Sequence, residues 1–508
     1  MEQLINLVAS LSQAEKRQFK LSNKKLATPG AYLFLFSLIE KHKYSDWNTI
    51  KKEFKTKYPK ASIESASNYL YKLVLEALVQ NKVKNDEAYK LLNSLLQIKI
   101  LKDRNLHGNA YFEIKKNEKL AEKYQELPIL YLLKREELNY LSDSNYTSIK
   151  EKELIAKQVT AKDVLRDIKN IQEHHTLYEL LKHRLNNTSQ ILSEQSKTEL
   201  NDLVFSEIAI INTNTKQTLE SKKLHLLFQS FYFIKTGDYR SALRTFHILN
   251  ELYESRLINL QHPPIDYYSM LDGILDSLRM INHYDEMDYF LNKLTLLDKN
   301  EYPDYFTLLI KKTILLSQLR IASYEKKWEV ALDIIRNTDL DVIRRNRHIN
   351  QHKQIELLFY VSLVYFKSGH LNKAIKAINN IILIKHVDYS SLLYRIARLF
   401  NVVMYYENKD LEYLEYEMRS YKRIFKGKIK ILSLEKFVFK VVKINPRLLS
   451  KYSNQLEWEK LGPLQKSIVN NKYESQLLKY FDFLGWAKEL FKLVILFHLQ
   501  SIPLKNII

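Results

Sequence analysis

Apolar residues recur along most of this chain at intervals of three and four positions, which is the spacing of one face of an α-helix. A clear stripe follows Ser62 and consists of Tyr69, Leu70, Leu73, Val74, Ala77 and Leu78. From about residue 85 the same period predicts longer helices that pair into hairpins. The predicted pairs are 86–103 with 107–124, 128–142 with 149–170, 172–195 with 199–212, 219–235 with 238–256, 265–281 with 284–297, 303–325 with 328–338, 347–368 with 371–385, and 389–407 with 410–426. The pattern predicts an all-α protein.

The predicted hairpin turns recur at a nearly constant interval. They fall at Gly237, Asn282, Lys326, Gly369 and Lys409, which are separated by 45, 44, 43 and 40 residues. Such regularity is typical of stacked helical repeats.

Apolar or small residues occupy fixed places around each turn, at spacings that put them on one helical face. Four residues before the turn are Phe233, Leu278, Ala322, Tyr365 and Tyr405, and two residues after it are Tyr239, Tyr284, Trp328, Leu371 and Leu411. Five residues after the turn are Ala242, Met287, Ala331, Ala374 and Leu414. Nine residues after it are Phe246, Leu291, Ile335, Ile378 and Met418.

This pattern resembles the tetratricopeptide repeat (TPR). The copy formed by Phe233, Gly237, Tyr239, Ala242 and Phe246 matches that family's consensus well, and the copies with Tyr365, Gly369 and Ala374, and with Trp328 and Ala331, match less completely. The period exceeds the family's 34 residues, and Leu226, Gln229 and Ser230 replace its consensus Trp, Leu and Gly. The resemblance implies a superhelical array of antiparallel hairpins whose concave face binds peptides or protein surfaces.

The first-helix positions with which some members of that family grip a partner's carboxylate are apolar here. They are Leu227 and Phe231 in the best copy and Phe359 and Leu363 in the second. A carboxylate clamp is therefore not expected. Such a face must either meet an apolar partner or be covered by other parts of the chain.

We divide the chain into four predicted regions: an N-terminal helical module (1–84), weakly repeat-like hairpins (85–215), TPR-like repeats (216–430) and a C-terminal helical cap (431–508). Ser12 and Glu15 have the spacing of a capping box, and we expect four short helices in the module. The module fits a small bundle or a helix-turn-helix unit with Lys51, Lys52, Lys55, Lys57 and Lys60 beside its last helix. We favour the bundle because no recognition pattern of Arg, Asn or Gln is evident.

Composition narrows the functional classes. Eight glycines among 508 residues leave little material for phosphate-binding loops, and the absence of cysteine excludes disulfides and thiolate metal sites. No nucleotide-binding, zinc-protease or nucleophile-elbow motif is found, so we expect no enzyme and no cofactor.

Three potential metal ligands, His175, Glu179 and His183, lie four residues apart. A closed metal site would need a further ligand, so we expect no metal site here.

The net charge of +21 suggests an acidic partner, although lysine is spread along the chain rather than clustered. The densest basic cluster is Arg344, Arg345 and Arg347, continuing to Lys353, in a link between two predicted hairpins. Arginine grips phosphates and carboxylates well. The alternative is that this charge caps the preceding helix C-terminus.

We therefore expect a non-enzymatic scaffold that mediates protein–protein interaction. The less favoured alternative is a nucleic-acid-binding or ligand-sensing regulator that uses the basic N-terminal module and the Arg344–Arg347 cluster. No secretory signal and no membrane-spanning run is recognised in the sequence, so a cytoplasmic location is expected.

Overall fold

The described part of the chain is helical, as the apolar periodicity predicts. The computed structural model describes residues 2–23, 30–42, 47–147, 149–187, 198, 200–213, 218–255, 263–299, 302–344, 351–384, 391–425, 431–471 and 474–491, without the side chains of 186, 187, 213, 344 and 451. Across those ranges there are 24 α-helices and no strand. The all-α class is confirmed.

The helices follow one another with short connections. The first eleven are α1 (Glu2–Ser10), α2 (Gln13–Asn23), α3 (Ala31–Lys41), α4 (Trp47–Lys57), α5 (Ile63–Asn85), α6 (Glu87–Asp103), α7 (His107–Lys123), α8 (Leu127–Asp143), α9 (Glu151–Asn187), α10 (Asn201–Thr213) and α11 (Leu219–Thr236). The next seven are α12 (Tyr239–Glu254), α13 (Ile265–Met280), α14 (Met287–Leu296), α15 (Asp304–Tyr324), α16 (Trp328–Asn337), α17 (Leu340–Arg344) and α18 (Gln351–Lys367). The last six are α19 (Leu371–Ile382), α20 (Leu392–Glu407), α21 (Leu411–Phe425), α22 (Ser433–Ile444), α23 (Lys451–Asn470) and α24 (Phe483–Leu490).

Helices α1–α5 enclose a hydrophobic core of their own, in which Leu35, Phe36, Phe54 and Leu70 are fully buried. The predicted capping box is present, because the Ser12 N–H donates to Glu15 Oε2 over 2.8 Å and the Glu15 N–H donates to Ser12 Oγ over 3.2 Å. Among its described residues, this module has five helices rather than the four expected from sequence. The additional one is α1, which contributes Leu4 and Val8 to this core.

All five indexed turns end their first helix with a residue in the left-handed conformation. The φ angles of Gly237, Asn282, Lys326, Gly369 and Lys409 are 76°, 62°, 57°, 79° and 57°. The next residue's N–H donates, over 2.8–3.1 Å, to a carbonyl four residues before the turn. The five acceptors are those of Phe233, Leu278, Ala322, Tyr365 and Tyr405, the positions indexed from sequence. This is the Schellman arrangement, which satisfies the carbonyls left open at a helix end.

The residues five and nine positions after these turns are buried, as expected for one packed face of a helix. Ala242, Met287, Ala331 and Ala374 are all fully buried, and Leu414 is nearly so. At the ninth position Phe246, Leu291, Ile335, Ile378 and Met418 are buried as well, whereas Tyr239 and Trp328 at the second position are half-buried. These findings describe the hairpins; the assignment to the tetratricopeptide family stays a prediction.

The same turn geometry also occurs earlier in the chain, at three places that the sequence index did not include. Asn105, Gln125 and Asn145 have φ angles of 59°, 58° and 52° and lie twenty residues apart. Each is followed by an N–H that donates to the carbonyl four residues before the turn. The turns at Asn105 and Gln125 join α6, α7 and α8, which pack one against the next, and the turn at Asn145 follows the end of α8.

One predicted break is wrong. The apolar period predicts separate helices over 149–170 and 172–195, but α9 runs without interruption from Glu151 to Asn187. No glycine or proline occurs in this helix, so nothing in the backbone forces a turn. Asn170, at the position of the predicted break, is buried within the helix.

The chain divides into two units. The first consists mainly of Met1–Arg184 and Leu200–Ile314, and the second mainly of Leu315–Asn346 and Asn350–Ile508. The second unit buries almost the whole length of α18 and α20, including Phe359, Phe400 and Val403. The four region boundaries predicted from sequence stay predictions.

Candidate interaction surfaces

The first-helix positions where a peptide groove was considered are covered in the second unit. Phe359 is fully buried and Leu363 is 5% exposed. The Phe359 ring packs against Phe400, with centroids 5.4 Å apart, and against Tyr480, with centroids 6.0 Å apart. The apolar face is therefore filled by the protein's own side chains.

Much of this cover comes from residues 480–486, which follow a short 3-10 helix, Ser475–Lys479. The Phe481 ring lies 4.8 Å from that of Phe400 and 6.1 Å from that of Phe366. Trp486 packs edge-on against Tyr406, and its indole N–H donates to Glu407 Oε1 over 2.8 Å. An aromatic cluster with this hydrogen bond fixes the segment on α18 and α20.

The corresponding positions in the first unit are only partly covered. Leu227 and Phe231 are half-buried on α11. The Phe231 ring meets Tyr178 of α9 edge-on, with centroids 6.2 Å apart, and Lys235 Nζ lies 5.4 Å from its centre. Burial lowers the pKa of Lys235, against the opposing effect of Asp276.

Two buried arginines on α20 form ion pairs inside the second unit. Arg395 donates from Nε to Glu435 Oε1 over 2.7 Å, and Arg398 donates from Nε to Glu417 Oε1 over 2.6 Å. Both arginines are at most 2% exposed. A charge in such a place requires a partner, because an uncompensated buried charge is strongly destabilising.

Glu435 also joins the local backbone to this network. Its Oε1 accepts a hydrogen bond of 2.5 Å from the Tyr421 hydroxyl, and its Oε2 accepts one of 3.1 Å from the Leu432 N–H at the start of α22. Burial and then the Glu435 charge raise the pKa of Tyr421 well above its ordinary value. The carboxylate thus connects α20, α21 and α22.

Three titratable groups meet inside the first unit. His225 Nδ1 is hydrogen-bonded to Glu207, and the His174 ring lies 6.3 Å from that of His225. Burial, together with the neighbouring His225 and His175, lowers the pKa of His174 to about 4. His174 is therefore a neutral core residue near pH 7.

The spaced residues His175, Glu179 and His183 lie on the outer side of α9, with Glu179 and His183 exposed. Among the side chains that the structure describes, no group of three or more potential ligands is placed to hold a metal ion.

The arginine cluster considered for partner contact lies mostly outside the described residues. Arg345 and Arg347 fall there, and Arg344 is described only as the last backbone position of α17. Lys353 is half-buried near the start of α18, where it already interacts with a neighbouring group. A role for these four residues stays a prediction.

An uncovered apolar stripe runs along α6. Tyr89, Leu92, Leu96 and Ile100 are 42%, 50%, 61% and 54% exposed, and their spacing of three, four and four residues places them on one face. The opposite face packs inward through Leu91 and Ile98, and α6 contacts α5, α7 and α8. We call these four exposed residues the α6 stripe.

Sequence reasoning missed this stripe, although a signal was present. The segment Glu87–Asp103 carries apolar residues on two faces, whereas a helix at the surface of a monomer needs one. A second apolar face on a short helix indicates a second packing partner.

The fold and these surfaces define an all-α helical protein without a recognised catalytic centre among its described residues. Comparison with known proteins finds no matching family model, no similar curated protein and no similar solved structure. In the described part of the chain, no helix combines the length and the apolar character that crossing a membrane requires.

Proposed function

We propose that this protein is a non-enzymatic, cytoplasmic, TPR-like helical-repeat scaffold that binds a protein partner through the α6 stripe. The recurring left-handed turns and the buried residue five positions after each of them, which is alanine at three of the five, support the repeat assignment. The uncovered stripe carries the functional part of the proposal. Soluble proteins rarely leave a continuous apolar strip without a partner, because apolar surface in water is unfavourable.

The stripe suits one kind of occupant. Four apolar residues along three helical turns match the anchor spacing of an amphipathic helix laid alongside α6. Lys99 and Arg104 are exposed near the same end of α6, and neither has a carboxylate partner within the described residues. A partner helix with an apolar stripe and acidic flanking residues would complement this surface.

The four stripe side chains supply part of the affinity, about 4 kcal/mol in total, and contacts around the stripe must supply the rest. Burying the exposed half of each stripe side chain contributes about 1 kcal/mol per residue, and the flanking cations add specificity more than affinity. An acidic residue placed in the stripe should abolish this contribution, because a carboxylate would have to be desolvated without a partner.

The test is affinity purification from the native cell with quantitative mass spectrometry. It compares the wild-type chain, the double variant Leu92→Glu/Leu96→Glu and the control Leu296→Glu. Leu296 is 73% exposed in the same unit, so the control adds a carboxylate to an exposed leucine outside the stripe.

We expect the stripe variant to recover a defined set of proteins in amounts at least tenfold below wild type. The control should recover the same proteins as wild type does. Equal recovery with all three chains would overturn the proposal. Loss of self-association alone, measured by light scattering of the purified chains, would replace an external partner with a second copy of this chain.

A further inference from the structure

One face of α4 is covered with lysines that lack a counter-charge. Lys51, Lys52 and Lys55 are all exposed and lie opposite the buried pair Ile50 and Phe54. None of the three has a carboxylate within ion-pair distance in the described part of the chain. The face is therefore an uncompensated cluster of positive charge.

The single carboxylate of α4 is directed elsewhere. Glu53 contacts Lys41 Nζ over 3.3 Å and His42 Nε2 over 2.8 Å, both at the end of α3. It therefore ties α4 to α3 and does not neutralise the lysine face. Lys60, which follows α4 in the next turn, is exposed as well and extends the positive charge toward α5.

Helices α3, α4 and α5 pack against one another, and residues 58–62 form a short turn between α4 and α5. Pro59 fixes the backbone early in this turn, and Ser62 caps α5 by accepting from the Ser65 N–H over 3.3 Å. A helix pair that is joined by a short turn and packed on a third helix is an element that helix-turn-helix units share, so the structure retains the helix-turn-helix alternative of the sequence analysis.

The first three turns of α5 expose polar side chains on one face. Ser65, Asn68 and Lys72 are exposed at spacings of three and four residues. Buried Leu70 and Val74 hold the opposite face of α5 in the module's core. Asparagine and lysine are residue types that read adenine and guanine edges in a major groove.

We propose that the helix pair α4–α5 binds duplex DNA. The lysine face of α4, with Lys60, contacts backbone phosphates, and the exposed face of α5 enters the major groove through Asn68 and Lys72. This division between a helix that crosses the backbone and a helix that reads bases is the geometry of helix-turn-helix recognition. The site lies on α4 and α5 and is independent of the α6 stripe.

The proposal predicts how strongly the DNA affinity should depend on salt concentration. Each phosphate contact releases counterions, so three lost contacts should reduce the slope of log K against log salt by about 2.7. A merely basic surface would lose affinity in proportion to total charge, wherever on the chain the charge is removed.

The experiment measures fluorescence anisotropy of a labelled 25-base-pair duplex with the full 508-residue chain between about 50 and 200 mM salt, the range in which phosphate contacts are most evident. It compares wild type, the variant Lys51→Ala/Lys52→Ala/Lys55→Ala, and the control Lys436→Ala/Lys440→Ala/Lys443→Ala. The control residues are three exposed lysines on α22 that also lack an ion pair among the described residues. Both variants remove the same charge.

We expect the α4 variant to bind at least about tenfold more weakly with a reduced salt slope, and the α22 control to bind as wild type does. Asn68→Ala should reduce the affinity for some duplex sequences more than for others. No binding at 50 mM salt, or equal weakening in both lysine variants, would overturn the proposal. It would also fail if poly-glutamate bound more tightly than the duplex at matched charge, which would indicate an acidic polypeptide instead.

Discussion

The inner aromatic face of the second unit and the α6 stripe of the first present the same chemistry and differ in what covers them. On α18 and α20, the rings of Phe359 and Phe400 are closed over by Tyr480 and Phe481. On α6, Leu92 and Leu96 remain at least half exposed. One apolar surface is part of the core, and the other is open to a partner.

This difference separates stability from recognition. The filled face should respond to substitution with a large loss of folding free energy. The open stripe should tolerate substitution in the isolated protein and respond only when a partner is present. Five predictions, from the largest effect on stability to the smallest, test this separation and the buried charges and turns that stabilise the two units.

Phe400→Ala should destabilise the second unit by about 4 kcal/mol, because it leaves a cavity among several packed rings. Phe112, which is 67% exposed on α7, provides the control, and Phe112→Ala should change stability by less than about 0.5 kcal/mol. Chemical denaturation followed by circular dichroism measures both. Similar losses for the two variants would contradict the filled-face description.

Glu435→Gln should cost about 3 kcal/mol, since it leaves the Arg395 charge buried without its carboxylate. The matched control is Glu415→Gln, a 76% exposed carboxylate on α21 that lies 3.9 Å from Arg419. Surface pairs of this kind contribute little. If Glu435→Gln were as stable as wild type, the buried pair would not hold α20 and α22 together.

The stability of the first unit should fall as pH drops from about 6.5 to about 4. The folded pKa of His174 lies below its unfolded value, so the unfolded chain binds more protons in this window and is favoured. The contribution is present above pH 6.5 and amounts to at most about 3 kcal/mol.

Unfolding measured across this pH range should show a shallower dependence for His174→Gln than for wild type. His183→Gln, at an exposed position on the same helix, is the control for the substitution itself. Parallel curves for wild type and His174→Gln would show that the buried histidine does not titrate as described.

Gly369→Ala should destabilise by about 1 kcal/mol, because an alanine Cβ is disfavoured at a φ of 79°. No atom lies within 4 Å of the added Cβ, so the cost comes from the backbone alone. The reverse change at the next turn, Lys409→Gly at a φ of 57°, should stabilise by up to about 1 kcal/mol. Thermal unfolding of the two variants should therefore shift in opposite directions.

Leu92→Glu/Leu96→Glu should change the stability of the isolated chain by no more than about 0.5 kcal/mol, because both side chains are already hydrated. Differential scanning calorimetry measures this effect. A loss comparable to that of Phe400→Ala would mean that the stripe belongs to the core and would remove the basis for partner binding.

Local features of the fold could be predicted from sequence because they depend on nearby residues. The turn at Gly237 follows from glycine's access to positive φ, and the burial of Ala242 follows from its helical offset. The capping box at Ser12 needs only a spacing of three. The turns at Asn105 and Gln125 also need a positive φ, but asparagine and glutamine indicate such a turn less clearly than glycine does.

Features that depend on distant packing could not be predicted. Nothing near Arg395 in sequence indicates that Glu435, forty residues later, neutralises it. The cover on Phe359 comes from Tyr480, more than a hundred residues along the chain. Whether an apolar helix face is covered or open is decided by such long-range contacts, which is why the α6 stripe emerged only from the structure.

The central claim is that the α6 stripe contacts a protein partner in the native cell. A photo-crosslinking amino acid placed at Leu96, with Leu296 as the matched position, tests it directly. We predict crosslinked partner bands at position 96 and none at position 296. The bands at position 96 should disappear when Leu92→Glu is added. Equal crosslinking at both positions, or none at 96, would contradict it.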